Sequence, residues 1–131
     1  MRHIFRSLTP MLKTEDIPAT VAFYAGVLGF AVDTLWPEEE PTLCILDHGT
    51  VSLSFVSDIE AWGADAPAMT GQLTFDVDDV MAVYETVKGH AEVIWGPEVY
   101  PYGRLEFSCI DPNGYALVFS QPADTGTDGE A

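Results

Sequence analysis

The chain has 131 residues, 47% of them hydrophobic and 20% charged, a composition that excludes global disorder and provides enough apolar side chains for a core. Five Lys and Arg against 21 Asp and Glu give a net charge of −16, which disfavours nucleic acid and anionic membranes as partners and attracts cations. No apolar run approaches the ~20 residues of a membrane span, and no signal peptide is recognisable. We therefore expect one cytoplasmic domain over residues 1–131, although the acidity could also serve only solubility.

Two segments have the apolar spacing of amphipathic helices. The spacing predicts a first helix over residues 17–28, with Asp16 as its N-cap. It predicts a second helix over residues 80–87, with Asp79 as the N-cap. Each helix would follow a strand and begin at an acidic residue.

Most of the remaining apolar segments alternate as β-strands do. The predicted strands are residues 8–13, 43–46, 51–56, 72–77, 92–95, 105–110 and 116–120. The sequence Asp-Pro-Asn-Gly at residues 111–114 predicts a turn before the last strand. Cys44 and Cys109 lie within predicted strands and have no metal-ligand spacing, so we expect both to be buried thiols.

The two halves of the sequence repeat one pattern. KTEDIPATVAFY and DVDDVMAVYETV each lead through an acidic cap into a helix, and HGTVSLSFV parallels NGYALVFSQ. The predicted fold class is α+β, with two βαβββ modules at about residues 6–60 and 70–121 and a loose acidic tail at 123–131. Neither four-stranded sheet could cover both of its faces alone. We expect the modules to pair into a curved, cleft-forming mixed sheet with helices outside.

The segment TEDIPATVAFYAGVLGF resembles the first-half signature of the vicinal-oxygen-chelate superfamily of glyoxalases, extradiol dioxygenases and bleomycin- and fosfomycin-resistance proteins. QLTFDVDDVMAVY and IDPNGYALVFSQ resemble its second-half repeat, and PYGRLEFSCIDPNG is most similar to the metal-free bleomycin-resistance members. The resemblance implies a homodimer, often with exchanged first strands. It says less about activity, because this fold hosts isomerases, oxygenases, transferases and binding proteins.

Enzymes of this superfamily hold a divalent metal with His and Glu side chains. Counted from the helix caps, the four ligand positions hold other residues: Thr9, Gln72, Val118 and either Ser52 or Ser54. Valine cannot coordinate a metal, and neutral side-chain oxygens bind divalent ions weakly. The three histidines, His3, His48 and His90, are predicted in loops. We therefore expect neither a metal nor a cofactor, and we assign no catalytic residue.

Strand alternation predicts which side chains line the cleft. Leu73, Phe75 and Val77 are expected under the second helix, which turns their neighbours to the opposite face. The predicted ligand-binding positions on the strands are Thr9, Met11, Ser52, Ser54, Gln72, Thr74, Asp76 and Val118, and Lys13 is expected to face the cleft beside them. This lining is mostly neutral, with acidic residues on it and around it.

Side chains in or beside loops complete the predicted binding cleft: Trp36, Trp62, Trp95, Tyr100, Tyr102, Arg104 and Glu106. The aromatic rings could stack on a planar cationic ligand held by the acids, or they could fill sheet edges and a dimer interface. Arg104 could clamp a carboxylate or carbonyl of the ligand, or pair with Glu106, Asp111 or another acid.

Three functions fit these patterns. The first is a small-molecule binding protein of the bleomycin-resistance type, which sequesters a cationic or aromatic drug or metabolite without metal or catalysis. The second is a glyoxalase- or dioxygenase-like lyase or isomerase, metal-free or with displaced metal ligands, that takes an acid or base from Asp76, Glu98 and Glu106. The third is a regulatory or structural subunit whose cleft is vestigial.

Overall fold

The computed structural model describes residues 4–57 and 67–123. The chain divides into two compact units, Met1–Ala68 and Met69–Ala131. Three features named from the sequence lie outside the described residues: His3, Trp62 and the tail from residue 124 onward. In the described ranges, no helix has the length and apolar character needed to cross a membrane.

The first unit contains one helical segment and a four-stranded sheet. Its elements are β1 (Met11–Lys13), α1 (Ile17–Val21), a π-helical turn (Ala22–Val27), β2 (Ala31–Trp36), β3 (Leu43–His48) and β4 (Val51–Val56). The strand order is β1-β4-β3-β2. Strand β1 is parallel to β4, and the other neighbouring strands are antiparallel.

The second unit repeats this arrangement. Its elements are β5 (Leu73–Asp76), α2 (Val80–Val87), β6 (Glu92–Tyr100), β7 (Arg104–Ile110) and β8 (Ala116–Pro122). The strand order is β5-β8-β7-β6, with β5 parallel to β8 and the other neighbours antiparallel. Both units are βαβββ modules, so the predicted α+β fold class is confirmed.

Strand β2 is missing from the strands predicted by alternation, although the βαβββ pattern requires it. Its sequence, AVDTLW, has two apolar residues on each side of Asp33 and Thr34 and so does not alternate, and all of its residues except Thr34 are exposed. The pairing with β3 also shifts register between Val32 and Thr34. Such an irregularity interrupts the period of two on which the prediction depends.

Of the predicted strands only β4 has the predicted bounds; β5, β7 and β8 differ from theirs by one or two residues at an end, and β1, β3 and β6 differ for reasons that the structure shows. Strand β1 begins only at Met11, because Pro10 before it has no N–H to donate to the ladder. Strand β3 continues to His48, which pairs with β4 instead of lying in the turn. Strand β6 continues past residue 95 to Tyr100, across two register shifts against β7.

Both helices begin at the predicted aspartates. The Asp16 carboxylate accepts a hydrogen bond from the Ala19 N–H at 2.9 Å, and the Asp79 carboxylate accepts one from the Ala82 N–H at 3.1 Å. Each bond satisfies an N–H group that has no partner within the helix. The acidic caps therefore fix where each helix starts after its first strand.

The first predicted helix, residues 17–28, is α-helical only to Val21 and continues as the π-helical turn. There the Leu28 N–H donates to the Phe23 carbonyl at 3.0 Å, five residues back along the chain. A single wide turn of this kind is the usual form of a π-helix. It accompanies the burial of two adjacent aromatic residues, Phe23 and Tyr24.

In each unit the helical segment packs on one face of its own sheet. Tyr24 contacts Phe55 of β4, with ring centroids 5.1 Å apart. In the second unit Tyr84 of α2 meets Phe107 of β7 edge to face at 5.4 Å, and Phe107 stacks on Phe119 of β8 at 5.1 Å. Because side chains alternate along a strand, the opposite face of each sheet carries the other set of residues.

Both cysteines are buried and free, as predicted. Burial raises the pKa of Cys44 to about 11, against a smaller lowering by a backbone hydrogen bond at Phe55. Burial and then the negative charge of Asp111 raise the pKa of Cys109 to about 12. At neutral pH both sulfurs are therefore protonated thiols, the unreactive form.

Gly96 of β6 is the one glycine of the described residues at which the neighbouring backbone, that of β7, leaves no room for a Cβ. Its φ is +77°, and an added Cβ would overlap the Glu106 carbonyl oxygen and lie 2.8 Å from the Phe107 Cα. Those atoms belong to the backbone and cannot rotate away. Any side chain at this position would therefore push the two strands apart beside Glu106.

We predict that Gly96→Ala destabilises the protein more than Gly114→Ala. Both glycines have positive φ, so each substitution costs about 1–2 kcal/mol for the left-handed conformation. Nothing lies within 4 Å of a Cβ at Gly114, whereas Gly96→Ala adds the overlap with β7. Urea unfolding of the two variants measures the difference, and equal losses of unfolding free energy would contradict the close approach.

Candidate functional site

In the first unit, the predicted site residues of the strands share the sheet face opposite the helical segment. Met11 pairs with Ser54, so both point away from the side of Phe55. Ser52 lies two residues before Ser54 and has the same orientation. Trp36 joins this face through its pairing with Leu43 and is exposed. Thr9 precedes β1 and is also exposed.

In the second unit, the alternation predicted for β5 matches the observed register. Phe75 stacks on Phe119, with centroids 5.4 Å apart, on the side of α2. Thr74 and Asp76 point the other way and are exposed. Thr74 pairs with Val118 on β8, whereas Gln72 precedes β5.

A chain of hydrogen bonds joins five side chains on this polar face, and we call it the Glu106 network. The Glu106 carboxylate is only 7% exposed; its Oε1 accepts from the Tyr102 hydroxyl, and its Oε2 accepts from the Ser120 hydroxyl at 2.6 Å. The Ser120 Oγ in turn accepts from the Arg104 Nε at 2.8 Å. The Arg104 guanidinium ends the chain at the Asp76 carboxylate, 2.5 Å away.

Strand register assembles the Glu106 network. Ser120 of β8 pairs with Asp76 of β5 on one side and with Glu106 of β7 on the other, so the three side chains form a row across the sheet. Arg104 lies two residues before Glu106 on β7 and therefore shares its face. Tyr102 lies in the turn between β6 and β7, and its exposed side chain reaches back to Glu106.

The charges around Glu106 are unbalanced. Glu98 of β6 is directly opposite Glu106, so two carboxylates form a cross-strand pair. Like charges in this position repel. Neither of the ion pairs identified among the described residues, Arg104–Asp76 and Lys88–Glu85, includes Glu98 or Glu106. Of the two roles expected for Arg104, the structure therefore has the ion pair with an acid, and that acid is Asp76. Arg104 is linked to Glu106 through the Ser120 hydroxyl.

An aromatic row runs beside these carboxylates, formed by Trp95, Tyr100 and Tyr102. Trp95 meets Tyr100 edge to face at 5.4 Å, and Tyr100 stacks on Tyr102 at 6.1 Å with an interplanar angle of 14°. The hydrogen bond to Glu106, followed by desolvation, raises the pKa of Tyr102. Desolvation and then the charges of Glu98 and Glu106 raise the pKa of Tyr100. Both phenols are therefore donors at neutral pH.

The comparisons with known proteins identify the family. The model of the Glyoxalase/Bleomycin resistance protein/Dioxygenase superfamily matches residues 5–119. The chain belongs to this superfamily. The match includes every element from β1 to β7 and most of β8. A search of curated proteins gave no match.

Solved structures of the superfamily fold resemble the chain over most of its length. A protein of unknown function from Agrobacterium tumefaciens has a TM-score of 0.73 and 20% identity, covering 92% of this chain and 96% of that one. A glyoxalase/bleomycin resistance protein/dioxygenase from Nocardioides has a TM-score of 0.72 and 19% identity, and the match covers 99% of this chain and 92% of that one. A lactoylglutathione lyase from Agrobacterium tumefaciens has a TM-score of 0.72 and 21% identity, and the match covers 92% of this chain and 96% of that one. At these identities the likeness concerns the fold alone.

The positions expected to bind metal in this superfamily carry poor ligands. Met11 and Thr74 are equivalent positions in the two modules, each two residues after an expected ligand position. Met11 pairs with Ser54 and Thr74 pairs with Val118, so Ser54, and not Ser52, is the first-unit counterpart of Val118. Val118 has no donor atom, and the Ser54 hydroxyl already donates to a backbone carbonyl, that of Pro10, at 3.1 Å. These side chains do not fit a His- and Glu-held divalent metal.

Within residues 4–57 and 67–123, no group of three or more His, Cys, Asp and Glu side chains is arranged to hold a metal ion. The second-unit residues that do come together are Asp76, Tyr102, Arg104 and Glu106, with Trp95 beside them. Their chemistry is that of hydrogen bonding, charge and aromatic stacking.

The sequence prediction did not include two serines of this polar face. Ser120 links Glu106 to Arg104, and strand alternation could have found it, since it lies two residues beyond Val118 on β8. Ser108 pairs with Val118 and is 1% exposed, yet its hydroxyl has no hydrogen-bond partner among the described residues. No sequence signal separates these two serines, because the difference depends on their neighbours.

We predict opposite behaviour for alanine substitutions of the two serines. Ser120→Ala leaves a Glu106 oxygen and the Arg104 Nε without their partner and is expected to cost about 1–3 kcal/mol. Ser108→Ala removes a buried hydroxyl that has no partner, so it is expected to be neutral or stabilising. Urea unfolding of both variants measures the contrast. Equal losses would show that the Glu106 network does not stabilise the fold through Ser120.

Proposed function

We propose that the protein is a non-catalytic small-molecule binding protein of the bleomycin-resistance type, which sequesters a cationic or aromatic drug or metabolite. One observation carries this proposal: the aromatic row lies on the same sheet face as the facing carboxylates of Glu98 and Glu106. Aromatic faces attract organic cations, and acidic side chains strengthen that attraction. Retention of a toxic cation in this way would confer resistance to it.

The charge of the whole chain supports the same class of ligand. A net charge of −16 raises the local concentration of cations and repels phosphate backbones and anionic lipids. The partner proposed here is therefore a small molecule, and neither nucleic acid nor a membrane. We also propose a homodimer, since Ile4, Phe5 and Leu8 are exposed in the single chain and apolar clusters of this kind are often covered by a partner.

Fluorescence titration tests the binding proposal. We expect metal-free bleomycin or the cationic acridine proflavine to quench tryptophan emission with a dissociation constant of about 10 µM or lower, corresponding to roughly 7 kcal/mol or more of binding free energy. Affinity should fall by roughly tenfold between about 0.02 and 0.5 M NaCl, because salt screens the acidic field. Trp95 is the tryptophan of the aromatic row, so we expect the ligand to quench its emission, and Trp95→Phe should remove most of the quenching.

Trp36→Phe is the matched control, because Trp36 belongs to the first unit and lies outside the aromatic row. Quenching that survives Trp95→Phe but disappears in Trp36→Phe would move the site to the first sheet. Equal affinity at low and high salt would contradict the electrostatic part of the proposal. A complete lack of binding by either cation would contradict the proposal itself.

Burial of Glu106 favours a second candidate, an acid–base lyase or isomerase. Of the three acids named from the sequence, Asp76 and Glu98 are exposed, whereas Glu106 is buried beside a phenol that can donate a proton. A carboxylate and a donor this close could remove a proton from carbon and return one to oxygen. Because the superfamily's metal positions lack suitable ligands, this candidate relies on side chains alone.

Deuterium exchange distinguishes the enzyme from the binding protein. If Glu106 acts as a base, the protein should accelerate exchange of the carbon-bound protons of dihydroxyacetone in D₂O, as followed by proton NMR. Glu106→Gln should lose at least about 90% of that rate, because the amide cannot accept the proton. Glu92→Gln is the control, since Glu92 is exposed, lies at the start of β6 and pairs with Ile110 away from Glu106. A rate equal to that of buffer would leave the enzyme candidate without support.

A further inference from the structure

The two oxygens of the Glu106 carboxylate are held in different ways. Oε2 accepts from Ser120, which is 2% exposed and fixed in the middle of the sheet between β5 and β7. Ser120 is itself tied to Arg104, and Arg104 to Asp76. The position of Oε2 is therefore fixed by three consecutive hydrogen bonds and by the pairing of β8 with β5 and β7.

Oε1 has a partner that can leave. It accepts from the hydroxyl of Tyr102, a turn residue whose side chain is 66% exposed. Besides this hydrogen bond, the ring of Tyr102 stacks only loosely on Tyr100, at 6.1 Å. An exposed phenol that leaves a carboxylate can bond to water instead, so the phenol itself loses little; the buried carboxylate then needs another donor at Oε1.

The charge at Glu106 favours replacement of this neutral donor by a cation. Glu106 is buried, faces Glu98 across the strand pair, and belongs to neither ion pair of the described chain. Burying a carboxylate without a cation costs free energy, and repulsion from a second carboxylate adds to that cost. A charged N–H donor at Oε1 would relieve both, because it keeps a charge-assisted hydrogen bond to the carboxylate and adds a positive charge beside Glu106 and Glu98, which the neutral phenol does not supply.

We propose that Tyr102 is a displaceable cap on Glu106, and that the ligand is an organic cation with N–H donors, a protonated amine or guanidinium, that replaces the Tyr102 hydroxyl at Oε1. The displaced phenol turns to water, and the Tyr100 ring remains beside the bound cation. This inference rests on the proposed binding function and specifies its ligand. A quaternary ammonium ion has the same charge but no N–H, and therefore cannot take the place of the phenol.

Two matched cations test the cap by isothermal titration calorimetry: 1-naphthylmethylamine, protonated at neutral pH, and its N,N,N-trimethyl derivative. Tyr102→Phe keeps the ring and removes the competing hydroxyl, so it should tighten binding of the amine by about two- to tenfold. The trimethyl derivative cannot donate to the freed Oε1, so its affinity should rise less than that of the amine. Tyr84→Phe is the control for loss of a phenol, because Tyr84 lies on the opposite face and packs on Phe107.

Glu106→Gln should weaken the amine by at least about tenfold and remove the preference for it over the trimethyl derivative. Because Glu106 is buried, urea unfolding must first show that Glu106→Gln folds. If Glu106→Gln does not fold, the Tyr102→Phe titrations alone decide whether Tyr102 is a displaceable cap. Amine binding that is unchanged or weaker in Tyr102→Phe would overturn the cap and leave the binding function standing. Failure of both cations to bind the wild-type protein and Tyr102→Phe would overturn the cap together with binding of organic cations at this face.

Discussion

The register of three paired strands is the constraint on which the polar chemistry of the second unit depends. Strand β8 lies between β5 and β7, so it places Ser120 beside Asp76 on one side and Glu106 on the other. One hydroxyl can then link a buried carboxylate to the Arg104 guanidinium. A slip of β8 by one residue would turn Ser120 to the side of α2 and leave Glu106 without its inner partner.

Local signals in the sequence predict the fold well, because each acts within a few residues. Asp16 and Asp79 cap the two helices, and the repeat around them requires the βαβββ pattern that the structure contains. Strand β2 could not be found in this way, since its apolar and polar residues do not alternate and its register shifts between Val32 and Thr34. The π-helical turn also lacks a local sequence signal that separates it from α-helix.

The candidate site was predictable only as a set of residue types and faces. Alternation places Thr74 and Asp76 opposite α2, but it cannot show that Tyr102 reaches back to Glu106 or that Arg104 chooses Asp76. Those contacts depend on a turn and on distant strands. Membership of the superfamily does not show what this site binds. The expected metal position on β8, Val118, has no ligand atom, and the buried carboxylate of Glu106 lies on the neighbouring strand β7.

The buried thiols make the protein suitable for site-selective labelling. With pKa values of about 11 and 12, Cys44 and Cys109 remain protonated and shielded at neutral pH, where maleimides react with accessible thiolates. A cysteine introduced at exposed Pro101 would therefore take up a dye while both native cysteines stay in place. The dye would lie next to Tyr102 and could report in real time whether that side chain moves.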